Sequence, residues 1–302
     1  MWLAWCLAEQ ALPKYSSKFS RKDFTRPQLF ACLVVKEHLR RSYRGAEILL
    51  RDCQHGCRAI GMSKVPDHNT LHRAAGLLLG QGKTNRLLDV MGQWAAIHRM
   101  LGLSCRPLAL DSSMYESHHV SRYYERRQRS SPRPSGQKQT VGRLPKLAVA
   151  VDVRSHLVLA IWTGVGTGSD SPHFEVLLFG AWRRAPQRRF VVVADGGYDA
   201  EHNHQLARRD MGLRSILPAS IGRVPSDEGR IRGYWRRRMR RLLRSKRSRR
   251  RCGYTQRWQA ETVNSMMKRN LGSALRGKSS ATRQQDLRLK VLVHNLMIFR
   301  CT

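Results

Sequence analysis

The sequence predicts an α/β protein: a helical N-terminal region, then a mixed sheet, then helices to the C-terminus. Three observations carry this expectation. Residues from about 15 to 100 space apolar side chains three and four apart, and few β-branched runs intervene. After Leu101 the texture changes to short β-rich runs bounded by turn residues. From Tyr234 onward the helical spacing returns. The expected division is residues 1–100, a helical region, and residues 101–302, a mixed-sheet domain that ends in helices. With 302 residues and 41% hydrophobic content the chain can bury a full core, which excludes wholesale disorder.

In the N-terminal region LFACLVVKEHLR, YRGAEILLRDC and NTLHRAAGLLL are amphipathic helices by spacing. SKVPDHNTLHRA places a proline and then an Asn/Thr start ahead of the third. That pattern is shared by a helix–turn–helix entry, with Arg73 on the polar side, and by a plain helical bundle. The opening MWLAWCLAEQ is apolar but has no basic leader, and Glu9 interrupts it, so it does not read as a signal peptide. No apolar run approaches the ~20 residues of a membrane helix. Seven cysteines, an odd and scattered set, make no disulfide framework. These features point to a cytoplasmic protein with no membrane partner.

The strands follow in order. RPLALDSS comes first, with Asp111 at the end of its apolar part, and then a Ser/Pro/Gly/Arg-rich excursion over 121–143 that reads as a surface loop. KLAVAVDV and LVLAIWTG can form a hairpin. FEVLLFGAW is helix-like, RRFVVVAD is a strand ending in Asp195, and LRSILPA is a further short strand.

Charge narrows the function. Lys and Arg number 56 against 21 acids, a formal +35 with a pI near 11.3. Only 12 of the 56 are lysine, which leaves 44 arginines. Arginine forks a phosphate bidentately, and each phosphate neutralised releases a counterion, so nucleic acid is the expected partner.

Several near-motifs fail. GLLLGQGKT would need glycine where Leu77 stands to be a phosphate loop. Cys53, Cys57, His68 and His72 imitate a zinc finger but with a linker of ten and no strand hairpin, so buried structural cysteines are expected instead. His202–Asn203–His204 lacks the surroundings of a nuclease motif.

Three carboxylates remain. Asp111 and Asp195 each close an apolar strand, at the edge where open α/β sheets place ligands, although a single such Asp is more often a turn or cap. The third, Glu261, lies in YTQRWQAETVNSMMKRN. At about 100° per residue, with Tyr254 at zero, Arg257, Glu261 and Lys268 fall near 300°, 340° and 320°. Val263, Met266 and Met267 fall on the opposite side, near 180°, 120° and 220°. The helix is amphipathic, and a solvated face with ion pairs would explain its charges without explaining the aligned tyrosine and glutamate.

Tyr254, two residues, Arg257, three residues, Glu261, six residues, Lys268: this spacing resembles the Tyr-Arg-Glu-Lys signature of a large group of bacterial insertion-sequence transposases. LDSSMYESHHVSRYYERR and VVVADGGYDAEHNHQLAR resemble that family's first and second aspartate segments, and PDHNTLHRA and VLVHNLMIF also resemble family segments. The resemblance covers almost the whole chain. It implies a ribonuclease-H-like mixed-sheet catalytic domain with a short insertion, for which LRSILPA is the expected strand. It also implies an Asp-Asp-Glu triad carried onto Asp111, Asp195 and Glu261. Their oxygen ligands suit Mg²⁺ or Mn²⁺, with two ions expected. The implied function is a transposase that binds insertion-sequence ends and carries out metal-dependent DNA cleavage and strand transfer. Its implied partners are terminal inverted repeats and target DNA, met as a homodimer on DNA, in a nucleoid-associated protein. The alternative is a catalytically inactive or domesticated DNA-binding derivative. A covalent role for Tyr254 lacks the His-x-x-Arg context of tyrosine recombinases. Tyr254, Arg257 and Lys268 are instead expected to grip DNA, together with Arg236, Arg237 and Arg240 of the unusually basic WRRRMRRLLRSKRSRRR.

Overall fold

The computed structural model describes residues 1–19, 21–101, 107–117, 144–166, 168–186, 190–220 and 231–300. The basic excursion 121–143 lies outside these residues. Six helices come first: α1 (Trp2–Ala11), α2 (Arg26–His38), α3 (Tyr43–Asp52), α4 (Gln54–Ala59), α5 (His68–Leu78) and α6 (Gln81–Ile97). Helix begins earlier than the sequence suggested. Ala4, Leu7, Ala8 and Ala11 repeat at three and four residues, so MWLAWCLAEQ is an amphipathic helix packed on α2 and α6. Helix α2 opens with a capping box: the Thr25 hydroxyl accepts from the Gln28 backbone N–H at 3.3 Å, and Gln28 Oε1 accepts from Thr25 N at 2.8 Å. Asp67, just after the proline, caps α5 by accepting from Thr70 N.

The strands are β1 (Pro107–Met114), β2 (Glu116–Ser117), β3 (Pro145–Asp152), β4 (Val158–Val165), β5 (Val191–Val193), β6 (Arg214–Ile216) and β7 (Ala274–Leu275). Five of them form one sheet in the order β4-β3-β1-β5-β6. The β3–β4 hairpin is antiparallel throughout, whereas β1, β5 and β6 run parallel. This is the ribonuclease-H-like mixed sheet. LRSILPA supplies β6, an edge strand of the main sheet, and not an inserted element. Two arginine-rich helices, α9 (Tyr234–Leu242) and α10 (Lys246–Arg251), occupy the place of the insertion. Between the strands come α7 (Phe174–Arg184) and the short α8 (Glu201–Gln205); α11 (Trp258–Leu271) and α12 (Ser280–Arg300) complete the chain.

Alternation along the strands sorts two cores. Ala109, Val149, Val151 and Val193 face the N-terminal helices together with α11 and α12. Leu108, Leu110, Ala150 and Val192 face α7. The VLVHNLMIF segment finds its purpose here. Asn295 of α12 donates to Val158 O and accepts from Val158 N, both at 2.9 Å, closing the backbone of the edge strand β4.

Arg184 joins the two regions. Its side chain is almost fully buried and bonds Leu159 O at 2.6 Å, Asp89 Oδ1 at 2.9 Å and Asn85 Oδ1 at 3.1 Å, linking α7, β4 and α6. Burial pulls its pKa down to about 10, with Asp89 opposing and Arg183 adding to the fall. Arg184→Ala leaves these acceptors without their donor, and the expected loss is on the order of 3 kcal/mol in urea unfolding. An unchanged midpoint would show that the linkage is idle.

Candidate active site

The parallel register of β1 and β5 pairs Ala109 with Val193. Two residues further along each chain stand Asp111, within β1, and Asp195, just past the end of β5, near enough for the charge of Asp195 to act on the Asp111 carboxyl. The sequence placed Asp111 at the end of its strand. The structure places it in the middle of β1, because antiparallel pairing with β3 carries the strand on to Met114, with Asp111 opposite Val149. What ends at this level is β5, and this termination opens space above the two carboxylates.

Asp195 turns the chain. Its carboxylate accepts from Gly197 N at 2.9 Å and starts a 3₁₀ turn over Gly196–Tyr198. Gly197 is required by close approach: a Cβ there would lie 3.0 Å from Asp195 Oδ1 and 3.1 Å from Asp170 Oδ2. Asp170 is thus a fourth carboxylate beside the site, one that sequence reasoning missed. It is balanced by the buried Lys146 at 2.6 Å. The Tyr198 ring is buried against this group, its hydroxyl without a partner in the structure. Burial raises its pKa, and the charges of Asp170, Asp111 and Asp195 raise it further, so the phenol keeps its proton.

Asp111 is the perturbed acid. Burial, then the neighbouring charges of Asp195 and Glu261, push it up to about 6, against hydrogen bonds from Asn264 and the Ser112 backbone. Asn264 Nδ2 donates to Asp111 Oδ2 at 2.9 Å from α11. This residue was also missed. On the helical wheel it falls near 280°, between the polar stripe and the apolar face, and a buried amide at such a margin is the signal that could have found it.

Helix α11 differs in two ways from the expectation. Tyr254–Arg257 is a separate 3₁₀ turn, and the α-helix starts at Trp258. Its buried residues are Ala260, Val263, Asn264, Met267 and Leu271, while Met266 is half-buried. The apolar face is therefore rotated away from Met266 and toward Leu271.

Glu261 is exposed, and its carboxylate lies on Arg257 at 2.5 Å. Burial works to lower the Arg257 pKa, but Glu261, Tyr254 and Asp111 outweigh it and the net shift is upward. Tyr254 is raised by burial and by Asp195, with Arg257 opposing, so it too is a protonated donor. Lys268 holds its ammonium 5.1 Å from the ring centre of the buried Tyr115. Among the described residues no three His, Cys, Asp or Glu side chains stand together closely enough to hold a metal ion. The chemistry of the donors nevertheless fits one: a hard divalent cation would stabilise the ionised Asp111 that burial, and then the charges of Asp195 and Glu261, disfavour.

The arginine track is anchored beside this site. Arg236 bonds the Asp199 carboxylate at 2.8 Å and Ser220 O at 2.9 Å, so its guanidinium is engaged within the fold. Glu201 accepts from the Trp235 and Arg236 backbone N–H groups at 3.0 and 3.2 Å, satisfying the start of α9 with an acid. Arg237 and Arg240 are exposed, with no carboxylate partner among the described residues.

The discarded motifs are structural. His68 pairs with Glu47 at 2.8 Å, His72 packs edge-on to Tyr43, and Cys57 is buried, whereas Cys53 is exposed at the end of α3, against the expectation of two buried cysteines. Asn203 bonds Tyr198 O at 2.9 Å, and His204 meets Ser215 Oγ at 2.8 Å, its pKa pulled down to about 4 by burial and Arg208. No described helix is long and apolar enough to cross a membrane.

The sheet order and the helix laid across it define a ribonuclease-H-like domain. A family model described as "Transposase DDE domain" matches residues 106–296, more than half of the sequence, and the chain belongs to that transposase family. Among solved structures, the crystal structure of the Mos1 strand transfer complex is similar over 86% of this chain and 82% of that one, at 11% identity and a TM-score of 0.24. A likeness that slight adds nothing to the argument. No curated protein sequence matches.

Proposed function

We propose that this transposase binds the ends of its insertion sequence and cuts and joins DNA strands at Asp111, Asp195 and Glu261. The observation that carries the proposal is the meeting of Asp111 and Asp195 at the end of β5, with Asp111 bonded to Asn264 of α11, within a chain of the DDE family. Residues 101–302 form the catalytic part in this reading, and residues 1–100 contribute to DNA binding.

The three carboxylates would hold two Mg²⁺ or Mn²⁺ ions, whose chemistry is Lewis-acid activation of the attacking and leaving oxygens. Asn264 fixes the Asp111 carboxylate and helps keep it ionised. Arg257 offers a fork to a terminal phosphate, and Lys268 a point charge one side of it. Protonated Tyr254 donates a hydrogen bond and takes no covalent part. Water attacking the scissile phosphodiester breaks the bond to the 3′-oxygen, which leaves with a proton as a 3′-hydroxyl. That hydroxyl, losing its proton, would then attack a phosphodiester of target DNA in the same site, and the target strand's own 3′-oxygen would leave as a 3′-hydroxyl. Two ends must be paired for this, so the DNA-bound form is a homodimer, and its place in the cell is the nucleoid.

The direct test incubates the protein with duplexes carrying the element's terminal repeats, with Mn²⁺ or with chelator. Metal-dependent nicks at the repeat boundary are expected. Binding without cleavage would favour the inactive, domesticated alternative.

Two further outcomes follow. Asn264→Leu removes a donor that lowers the Asp111 pKa, so in the metal-free protein the Asp111 carboxyl should titrate higher than in the wild type when followed by NMR. An unmoved titration would mean that Asn264 only packs. End binding should also weaken steeply with salt, log affinity falling by about 0.9 per phosphate contact for each unit of log salt. A nearly flat dependence would make the +35 charge idle surface.

A further inference from the structure

A cleft of about 930 Å³ opens between the α2–α3 junction and the β7–α12 junction, away from the three carboxylates. It runs into a smaller recess of about 270 Å³ that reaches Leu271 and Gly272, at the end of α11. Its floor is electrically balanced. The buried Lys36 and Lys290 face the buried Glu37 and Asp286; Glu37 bridges the two lysines at 3.2 and 2.8 Å, and Asp286 accepts from the Arg276 and Gly277 backbone N–H groups.

The rim is not balanced. Arg40, Arg41, Arg276 and Lys278 line it, and none of them meets a carboxylate among the described residues. Arg40 and Arg276 are held by carbonyls. Arg40 donates to Asn270 O at 2.9 Å and to Arg269 O, and Arg276 donates to Arg40 O at 2.6 Å. Carbonyls fix the position of a guanidinium without cancelling its charge. Arg41 and Lys278 are exposed, and their side chains have no partner among the described residues.

The backbone adds a second observation. Arg40 N bonds Glu37 O at 3.0 Å and Arg41 N bonds Lys36 O at 2.9 Å, the double closure that ends a helix on a left-handed residue. That residue is ordinarily glycine, yet here it is Arg40 at φ 51°. A non-glycine residue is disfavoured in that conformation, so the side chain is held there against a local cost.

We infer that this cleft is a second phosphate-binding site, which grips the backbone of the DNA strand leaving the active site. The inference rests on the transposase reading above and adds a place where the strand goes. Helix α11 connects the two sites. From Glu261 to Leu271 is ten residues, about 15 Å of helix, or roughly four nucleotides at 3.4 Å each. Lys268 lies one turn before the recess. Cations on both walls suit an extended polyanion.

The test uses the full chain and a duplex without metal, so that it is independent of cleavage. Binding is measured by fluorescence anisotropy across a salt series for the wild type, for Arg41→Glu with Lys278→Glu, and for a charge-matched control, Arg154→Glu with Arg209→Glu, exposed residues that line no part of the cleft. The cleft pair should lose about tenfold or more in affinity, and its salt slope should shallow by about two units for two lost contacts, against little change in the control. Acetylation footprinting supplies the location: duplex should protect Lys278 from modification. Equal losses in both pairs, or no protection of Lys278, would overturn the proposal. So would protection by inorganic phosphate alone to the same degree, which would mark a small-anion site. Failure of the transposase reading is seen separately, as wild type that binds duplex but does not cut it in Mn²⁺.

Discussion

Asp111→Asn is expected to abolish strand cleavage while making the metal-free protein more stable at pH 8. The carboxyl titrates near 6 in the folded protein, because burial and the charges of Asp195 and Glu261 disfavour its ionised form. In the unfolded chain it titrates near its usual value of about 3.9. Below about pH 4 both states are protonated, and the group costs nothing. As the pH rises from about 4 to 6 the unfolded chain ionises first, so stability is lost across that window and the deficit is constant above it. Its size is at most about 3 kcal/mol, from two pKa units at 1.36 kcal/mol each. Asparagine never ionises, and its Oδ1 still accepts from Asn264. Asp195→Asn and Glu261→Gln should abolish cleavage equally, since each removes a ligand charge, and end binding should survive in all three. A cleavage assay beside apo melting curves at pH 5 and pH 8 tests both halves. Near-normal cutting by any variant removes that residue from the triad. An Asp111→Asn protein no more stable than wild type at pH 8 removes the account of its strain.

Much of this arrangement was legible before any coordinates, and the reason is local. The apolar runs of β1, β3, β4 and β5 carry their own periodicity, and the polar stripe of Arg257, Glu261 and Lys268 is written at helical spacing. What escaped is set by partners distant in sequence. The extension of β1 past Asp111 comes from β3, whose first residue stands 34 positions further along the chain. LRSILPA reads as a strand, but only pairing with β5 decides that it closes the main sheet. Asn264 and Asp170 look ordinary in the sequence. Their importance is a matter of what lies across from them, Asp111 for the first and the Asp195 turn for the second. Arg236 looked like a free cation for the same reason, since its acid partner, Asp199, belongs to another segment.

The two faces of α11 should separate chemistry from stability. Arg257 pairs with a glutamate that is 52% exposed, and a pair open to solvent in this way contributes at most about 1 kcal/mol to folding. Arg257→Ala should therefore melt near the wild-type temperature. Its effect on end processing should be far larger, because a bidentate fork on a phosphate is a charged hydrogen bond of about 1.5–3 kcal/mol, roughly ten- to a hundredfold in rate. Met267 is the opposite case. It is fully buried between the helix and the sheet, where Met→Ala costs about 2–5 kcal/mol through lost burial and the cavity left behind. Met266, half-buried, should cost less than Met267, an ordering that the rotated apolar face requires and the sequence periodicity does not supply. Melting curves and cleavage by the folded fraction, measured on the same preparations, separate the effects. If Arg257→Ala lowers melting as much as Met267→Ala while the folded fraction cuts normally, Arg257 is a structural partner of Glu261. The Tyr-Arg-Glu-Lys spacing would then record the stability of a helix and not its hold on DNA.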